Sequence, residues 1–129
     1  MEHVANEELI PELDRDFLKE KEYVFEIIPS EGNILVIIRN FSFPEFYLPS
    51  IADLLIILPS GYPNAAVDMF RTNPDVKLAN GSWPIAAEPH VMIHGINWQQ
   101  WSRHIGWRVG RDNMQTFVAA IKKELQKGV

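Results

Sequence analysis

The 129 residues carry twelve Lys and Arg against seventeen Asp and Glu, a formal charge of −5, with 47% hydrophobic and 22% charged residues. That balance fits one globular domain over residues 1–129, long enough to bury a core, and argues against disorder and against nucleic-acid binding through a broad basic face. With no cysteine, the chain has no disulfide framework, no thiolate metal site and no cysteine nucleophile.

The acidic first residues, MEHVANEELIPEL, lack an apolar stretch of signal-peptide length. Leu9, Leu13 and Phe17 recur at helical spacing, and Pro11 is tolerated in a first turn, so a short amphipathic helix is predicted over about residues 10–20. Tyr23–Ile28 and Ile34–Ile38 read as strands joined by the turn residues Pro29-Ser30-Glu31-Gly32-Asn33, an antiparallel hairpin. Phe41 to Pro49, aromatic and broken by two prolines, reads as a packed loop.

Ile51–Leu58 is a third strand, apolar enough to be central, and its Leu54–Leu58 run is far too short to span a bilayer. A sharp turn at Pro59-Ser60-Gly61-Tyr62-Pro63 leads to a short fourth strand at Val67–Phe70. From Arg71 to Arg111 no sustained periodicity is visible, although this stretch holds all four tryptophans and three of the four histidines. Irregular segments of that length are functional or tied down by large side chains.

The last helix is the clearest. Asp112 is placed to cap it, with Gln115 three residues on, and Met114, Phe117, Val118, Ile121 and Leu125 form one stripe before Gly128. The fold class is therefore α+β: an N-terminal helix, a four-stranded antiparallel meander, a long irregular active-site segment and a C-terminal helix. The default location is cytoplasmic, without cofactor and without membrane contact.

Two fragments on this scaffold narrow the reading. Leu58-Pro59-Ser60-Gly61-Tyr62-Pro63 resembles the Pro-x-x-Tyr-Pro turn of ubiquitin-conjugating enzymes, and Gln100-Trp101-Ser102 resembles the Gln-Trp-Ser segment after their active site. A divergent prokaryotic branch, family E, is closer. Its pattern is similar to Gly61-Tyr62-Pro63, Asp68-Met69-Phe70, Ala79-Asn80-Gly81, Trp98-Gln99-x-Trp101-Ser102-Arg103-His104 and Trp107-Arg108-x-Gly110-x-Asp112. The resemblance covers about residues 10 to 127. It implies a ubiquitin-conjugating fold and a bacterial operon with an activating enzyme, a ubiquitin-like protein and a peptidase.

The departures are as informative. Where ordinary conjugating enzymes carry His-Pro-Asn, this chain reads Asn73-Pro74-Asp75, and an ionised aspartate cannot donate to an oxyanion. No residue here can form a thioester. Counting forward from Asn73-Pro74-Asp75 by the family spacing lands near Gly81-Ser82-Trp83. Counting back from Gln100-Trp101 lands near Ile93, and the disagreement implies an insertion.

Chemistry favours Ser102 as the replacement nucleophile. A serine hydroxyl needs a base near neutral pH, and His104 shares a side with it if the segment is extended. Arg103 is a candidate to stabilise developing negative charge. Ser82 is the second nucleophile candidate, with a turn role beside Gly81 as the plainer reading. The expected activity is transfer: a ubiquitin-like protein received from an activating enzyme as a serine oxyester and passed to a target amine.

Two alternatives stand beside it. One is a non-catalytic adaptor that binds the activating enzyme or the ubiquitin-like protein. The other is a metal site at His90, His94 and His104, disfavoured because Pro89 and Gly95 flank the first pair and no glutamate lies between. At least two tryptophans are expected in core or lid packing, with an exposed one free to grip an extended tail.

Overall fold

Two hairpin turns of the same chemistry set the sheet. Glu31 and Gly32 have φ of 49° and 85°, and His94 and Gly95 have φ of 50° and 79°. Paired positive φ values give two-residue type I′ turns, whose twist matches that of the flanking strands, and glycine takes the second position without a Cβ penalty. The computed structural model describes residues 3–129. The expected domain over 1–129 also includes Met1 and Glu2, which lie outside the described residues.

The first turn joins β1 (Val24–Ser30) to β2 (Asn33–Ser42). A short β3 (Tyr47–Leu48) follows, then β4 (Ile51–Leu58), β5 (Phe70–Asn73) and a short β6 (Lys77–Leu78). The second turn joins β7 (His90–Ile93) to β8 (Ile96–Trp101). The main sheet has six strands in the order β1-β2-β4-β5-β8-β7, and β3 pairs with β6 apart from it. All these pairings are antiparallel.

The expected meander corresponds to β1, β2, β4 and β5, with two corrections. The fourth strand is Phe70–Asn73 rather than Val67–Phe70, because Met69 sits at φ 60° and interrupts the extended chain before it. The segment from 71 to 111 is not irregular throughout. It contains the β7–β8 hairpin, which continues the meander.

Helix α1 (Glu12–Glu20) and helix α2 (Met114–Leu125) pack against one sheet face. On α1 the expected stripe is rotated: Leu13 is 61% exposed, while Ile10, Asp14, Phe17 and Leu18 are buried. Those four follow helical spacing with a carboxylate in the apolar stripe. Asp14 is tolerated inside because Oδ2 accepts from the Tyr62 hydroxyl at 2.6 Å and Oδ1 from the Met114 N–H at 3.2 Å. Burial nonetheless raises its pKa, with the two hydrogen bonds opposing.

On α2 the expected apolar stripe is buried in full. Its cap is Asn113, not Asp112: Asn113 Oδ1 accepts from the Thr116 N–H and Thr116 Oγ1 accepts from the Asn113 N–H, both closing a capping box. Asp112 instead holds Arg108.

The opposite sheet face carries a second apolar cluster, Leu35, Ile37, Leu55 and Trp98, flanked by Ile28, Ile57, Val91, Ile93 and Ile96. The β7–β8 hairpin contributes Val91, Ile93, Ile96 and Trp98 to it, beside residues of β1, β2 and β4. No helix among the described residues is long and apolar enough to cross a membrane.

Candidate functional site

Strand β8 presents opposite duties on its two faces. Trp98 enters the second cluster, while Trp101 is fully buried under the helices. The Trp101 indole stacks on Phe70 at 5.1 Å, meets Tyr47 at 5.9 Å, and donates from Nε1 to Thr72 Oγ1 at 3.0 Å. Gln99, on the Trp101 face, is a clamp. Its Oε1 accepts from Thr72 Oγ1 at 2.9 Å and from the Val76 N–H at 2.7 Å. Its Nε2 donates to the carbonyls of Val76 and Ala87 at 2.8 and 2.9 Å. One side chain thus ties down the chain on both sides of the long excursion from 76 to 87, where no ladder is available to satisfy those groups.

The strand's alternation continues past its end. Trp101, Arg103 and Ile105 are buried, Ser102 is half-buried and His104 is exposed. That alternation is the signature of extended chain, and it puts Gln100, Ser102 and His104 on one side. The Ser102 N–H donates to the Ala86 carbonyl at 2.8 Å, fixing the backbone there.

A polar strip results. Arg71, paired across the ladder with Gln100, donates from Nε and Nη2 to Gln100 Oε1 at 3.3 and 3.2 Å. Gln100 Nε2 donates to Ser102 Oγ at 3.4 Å. Next along the same side, His104 Nδ1 lies 3.3 Å from Asp68 Oδ2. An ionised carboxylate only accepts, so Nδ1 carries the proton in the neutral ring and Nε2 is the free basic nitrogen. The His104 side chain is 90% exposed, open to a partner. Arg71 is 9% exposed, and burial lowers its pKa while the nearby Asp68 charge opposes that shift.

Sequence reasoning missed Arg71, and it named Asp68 only within the Asp68-Met69-Phe70 match, without a role. The available signal for Arg71 was a cation between Phe70 and the β-branched Thr72 in a short strand. Arg103, the arginine singled out from sequence, lies on the other side of the segment. It is buried with its Cζ 5.0 Å from the Trp101 ring, donating from Nε to the Ile85 carbonyl at 2.9 Å and from Nη2 to the Val129 carbonyl. Its Nη1 is 3.7 Å from Glu124 Oε1 and has no hydrogen-bond partner among the described residues. Those contacts make Arg103 a tie between the β8 exit and the C-terminal helix.

Ser82 sits elsewhere. Its N–H and hydroxyl both donate to Asn80 Oδ1, a local turn. The neighbouring Trp83 meets His90 edge-on at 5.6 Å, and His90 Nε2 lies 2.7 Å from Asp75 Oδ1. Lys77 Nζ lies over the Trp83 ring, 4.5 Å from its centroid.

His90 is in β7 and His94 in the hairpin turn, so the helical spacing considered for a ligand pair does not exist. Among the described residues no three His, Asp or Glu side chains converge as a metal site. Of the tryptophans, Trp98 and Trp101 are core. Trp107 is half-buried against Tyr62 and Phe117 and donates from Nε1 to the Pro63 carbonyl at 3.0 Å. The Tyr62-Pro63 turn and the His104–Trp107 segment are thereby held together.

A family model described as prokaryotic E2 family E matches residues 10–128. Comparison with curated proteins and with solved structures returned no match.

Proposed function

This chain belongs to prokaryotic E2 family E, and on that premise we propose that it acts in ubiquitin-like protein conjugation as a carrier. It receives the C-terminal acyl group of a ubiquitin-like protein from an activating enzyme and passes it to a target amine. The observation that carries the reading is the common side shared by Ser102 and His104, with His104 oriented by Asp68.

Ser102 Oγ attacks the activated acyl carbonyl and His104 Nε2 takes its proton. The carbonyl electrons collapse back as the leaving group departs with the activating enzyme, and an oxyester remains. Arg71 supports the developing negative charge through Gln100, the role the sequence offered to Arg103. In the second half-reaction the target amine attacks the ester carbonyl, the C–O bond to Ser102 breaks as protonated His104 gives its proton to Oγ, and the freed Nε2 takes the proton that the new amide nitrogen loses.

An oxyester is less reactive toward amines than a thioester, so this polar strip has more stabilisation to supply than a cysteine site would. The absence of any cysteine favours a second reading, an adaptor that keeps the scaffold for binding alone.

The test is a mixture of the protein, its activating enzyme, ATP and the ubiquitin-like protein. A hydroxylamine-labile, thiol-resistant adduct that is lost in Ser102→Ala is the expected result. An adduct unchanged in that variant moves the nucleophile to Ser82 or another group. No adduct from a demonstrably active activating enzyme supports the adaptor.

A further inference from the structure

The two edges of the main sheet are treated differently. In a two-residue hairpin the residues flanking the turn form a hydrogen-bonded pair, and pairs alternate from there between bonded and non-bonded. For β1 the flanking pair is Ser30 and Asn33, so Pro29 and Ile27 turn their backbone groups outward. Phe25, two pairs further on, does so as well, and the first two are obstructed in part: Pro29 has no N–H, and the Ile27 carbonyl accepts from Asn6 Nδ2 at 3.1 Å. Edges obstructed in this way resist strand addition.

At the other edge, β7, the flanking pair is Ile93 and Ile96, followed by Val91 with Trp98. The same parity continues to the Gln100 N–H that donates to the Pro89 carbonyl at 2.8 Å. His90 and Met92 therefore direct their N–H and C=O groups outward. Among the described residues nothing bonds them there. The Met92 side chain is 65% exposed, and no proline or lysine interrupts the strand.

We propose that the β7 edge binds the extended C-terminal tail of the ubiquitin-like protein as an added antiparallel strand. This inference rests on the carrier reading above. The orientation follows from the path to Ser102. The chain preceding β7 runs back along β8 to that residue, with the Pro89 carbonyl on Gln100 and the Ala86 carbonyl on Ser102. A tail whose carboxyl end must reach Ser102 therefore runs opposite to β7.

With strands about 4.8 Å apart, the added strand lies about 10 Å from the β8 line, which roughly three extended residues span. Main-chain hydrogen bonds supply the affinity, and Met92 receives one apolar tail residue. A second copy of this chain is the poorer occupant, because a four-residue edge falls far short of the roughly 1,200 Å² that a stable interface buries.

The test is amide hydrogen exchange on the full chain with its ubiquitin-like protein, either intact or lacking its last ~8 residues. The intact protein is expected to slow exchange at His90 and Met92 by about tenfold or more, and the truncated one not at all. Val91 and Ile93, already bonded to β8, change little.

In parallel, Met92→Pro removes an outward N–H that β8 does not use, and its adduct formation is expected to fall by about tenfold or more, while Met92→Leu keeps it. A folded Met92→Pro that forms adduct at the wild-type rate overturns the inference and leaves the carrier reading standing. So does protection by the truncated protein, or protection that grows with concentration of this chain alone. If Met92→Pro does not fold, wild-type exchange decides. With no adduct and no protection, both the inference and the carrier reading fall.

Discussion

Asp68 Oδ2 lies 3.3 Å from Nδ1 of His104, so a carboxylate from the loop before β5 orients an exposed imidazole on the segment after β8. The pairing gives His104 a defined tautomer at a place open to another protein. Single-turnover adduct formation is expected to slow by about 100-fold in His104→Ala, the loss of one general base, and by a smaller factor in Asp68→Asn. Equal rates in wild type and His104→Ala would remove the base from the mechanism.

Arg71 is expected to be sensitive to conservative exchange. It grips Gln100 Oε1 with two nitrogens, Nε and Nη2, a fork that lysine cannot reproduce. Arg71→Lys is therefore expected to slow adduct formation while keeping the charge. Arg103→Lys, on the opposite side, is expected to lower the melting temperature with a smaller effect on rate. A reversed pattern would exchange the roles assigned to the two arginines.

Gln99 is a stability element. Gln99→Leu keeps much of the side-chain volume but strands the Val76 N–H and the Val76 and Ala87 carbonyls that Gln99 satisfies. At roughly 1–3 kcal/mol for each buried group left unpaired, several kcal/mol of destabilisation is expected in denaturant titration. A change below about 1 kcal/mol would mean that water replaces the clamp.

Asp14 predicts a pH dependence with a definite sign. Burial raises its folded-state pKa, so the folded chain holds this proton more tightly than the unfolded chain does. Its contribution is fully present below the unfolded carboxylate value of about 3.9 and is lost as pH rises through the raised folded value. The unfolding free energy of wild type relative to Asp14→Asn is expected to fall across that window. A difference that is flat or rises with pH would contradict the assignment.

The α2 cap separates two neighbouring residues. Asn113→Ala removes the capping box and is expected to cost about 1 kcal/mol. Asp112→Ala removes a carboxylate that accepts from the Arg108 N–H and pairs with its guanidinium in the turn before the helix, and is expected to cost less than Asn113→Ala in denaturant titration.

The parts of this protein legible in the sequence are those where local pattern and tertiary outcome agree. The apolar stripe of α2, the Glu31-Gly32 hairpin and the central strand Ile51–Leu58 are each specified by residues a few positions apart, through helical spacing, turn chemistry and an unbroken apolar run. The second hairpin was also legible in principle, with His94-Gly95 between Val91/Ile93 and Ile96/Trp98. It is disguised because β8 is buried on both faces, so its buried Gln99 breaks the expected alternation.

The candidate site is the reverse case. Sequence spacing could place Ser102 and His104 on one side only if the segment is extended, and whether it is extended depends on the Ala86 carbonyl and the β5 ladder. Asp68, Arg71 and Asp14 meet partners far away in the chain. Local periodicity determines which residues a single element buries. Only the register between strands decides which polar groups from distant segments come within hydrogen-bond reach.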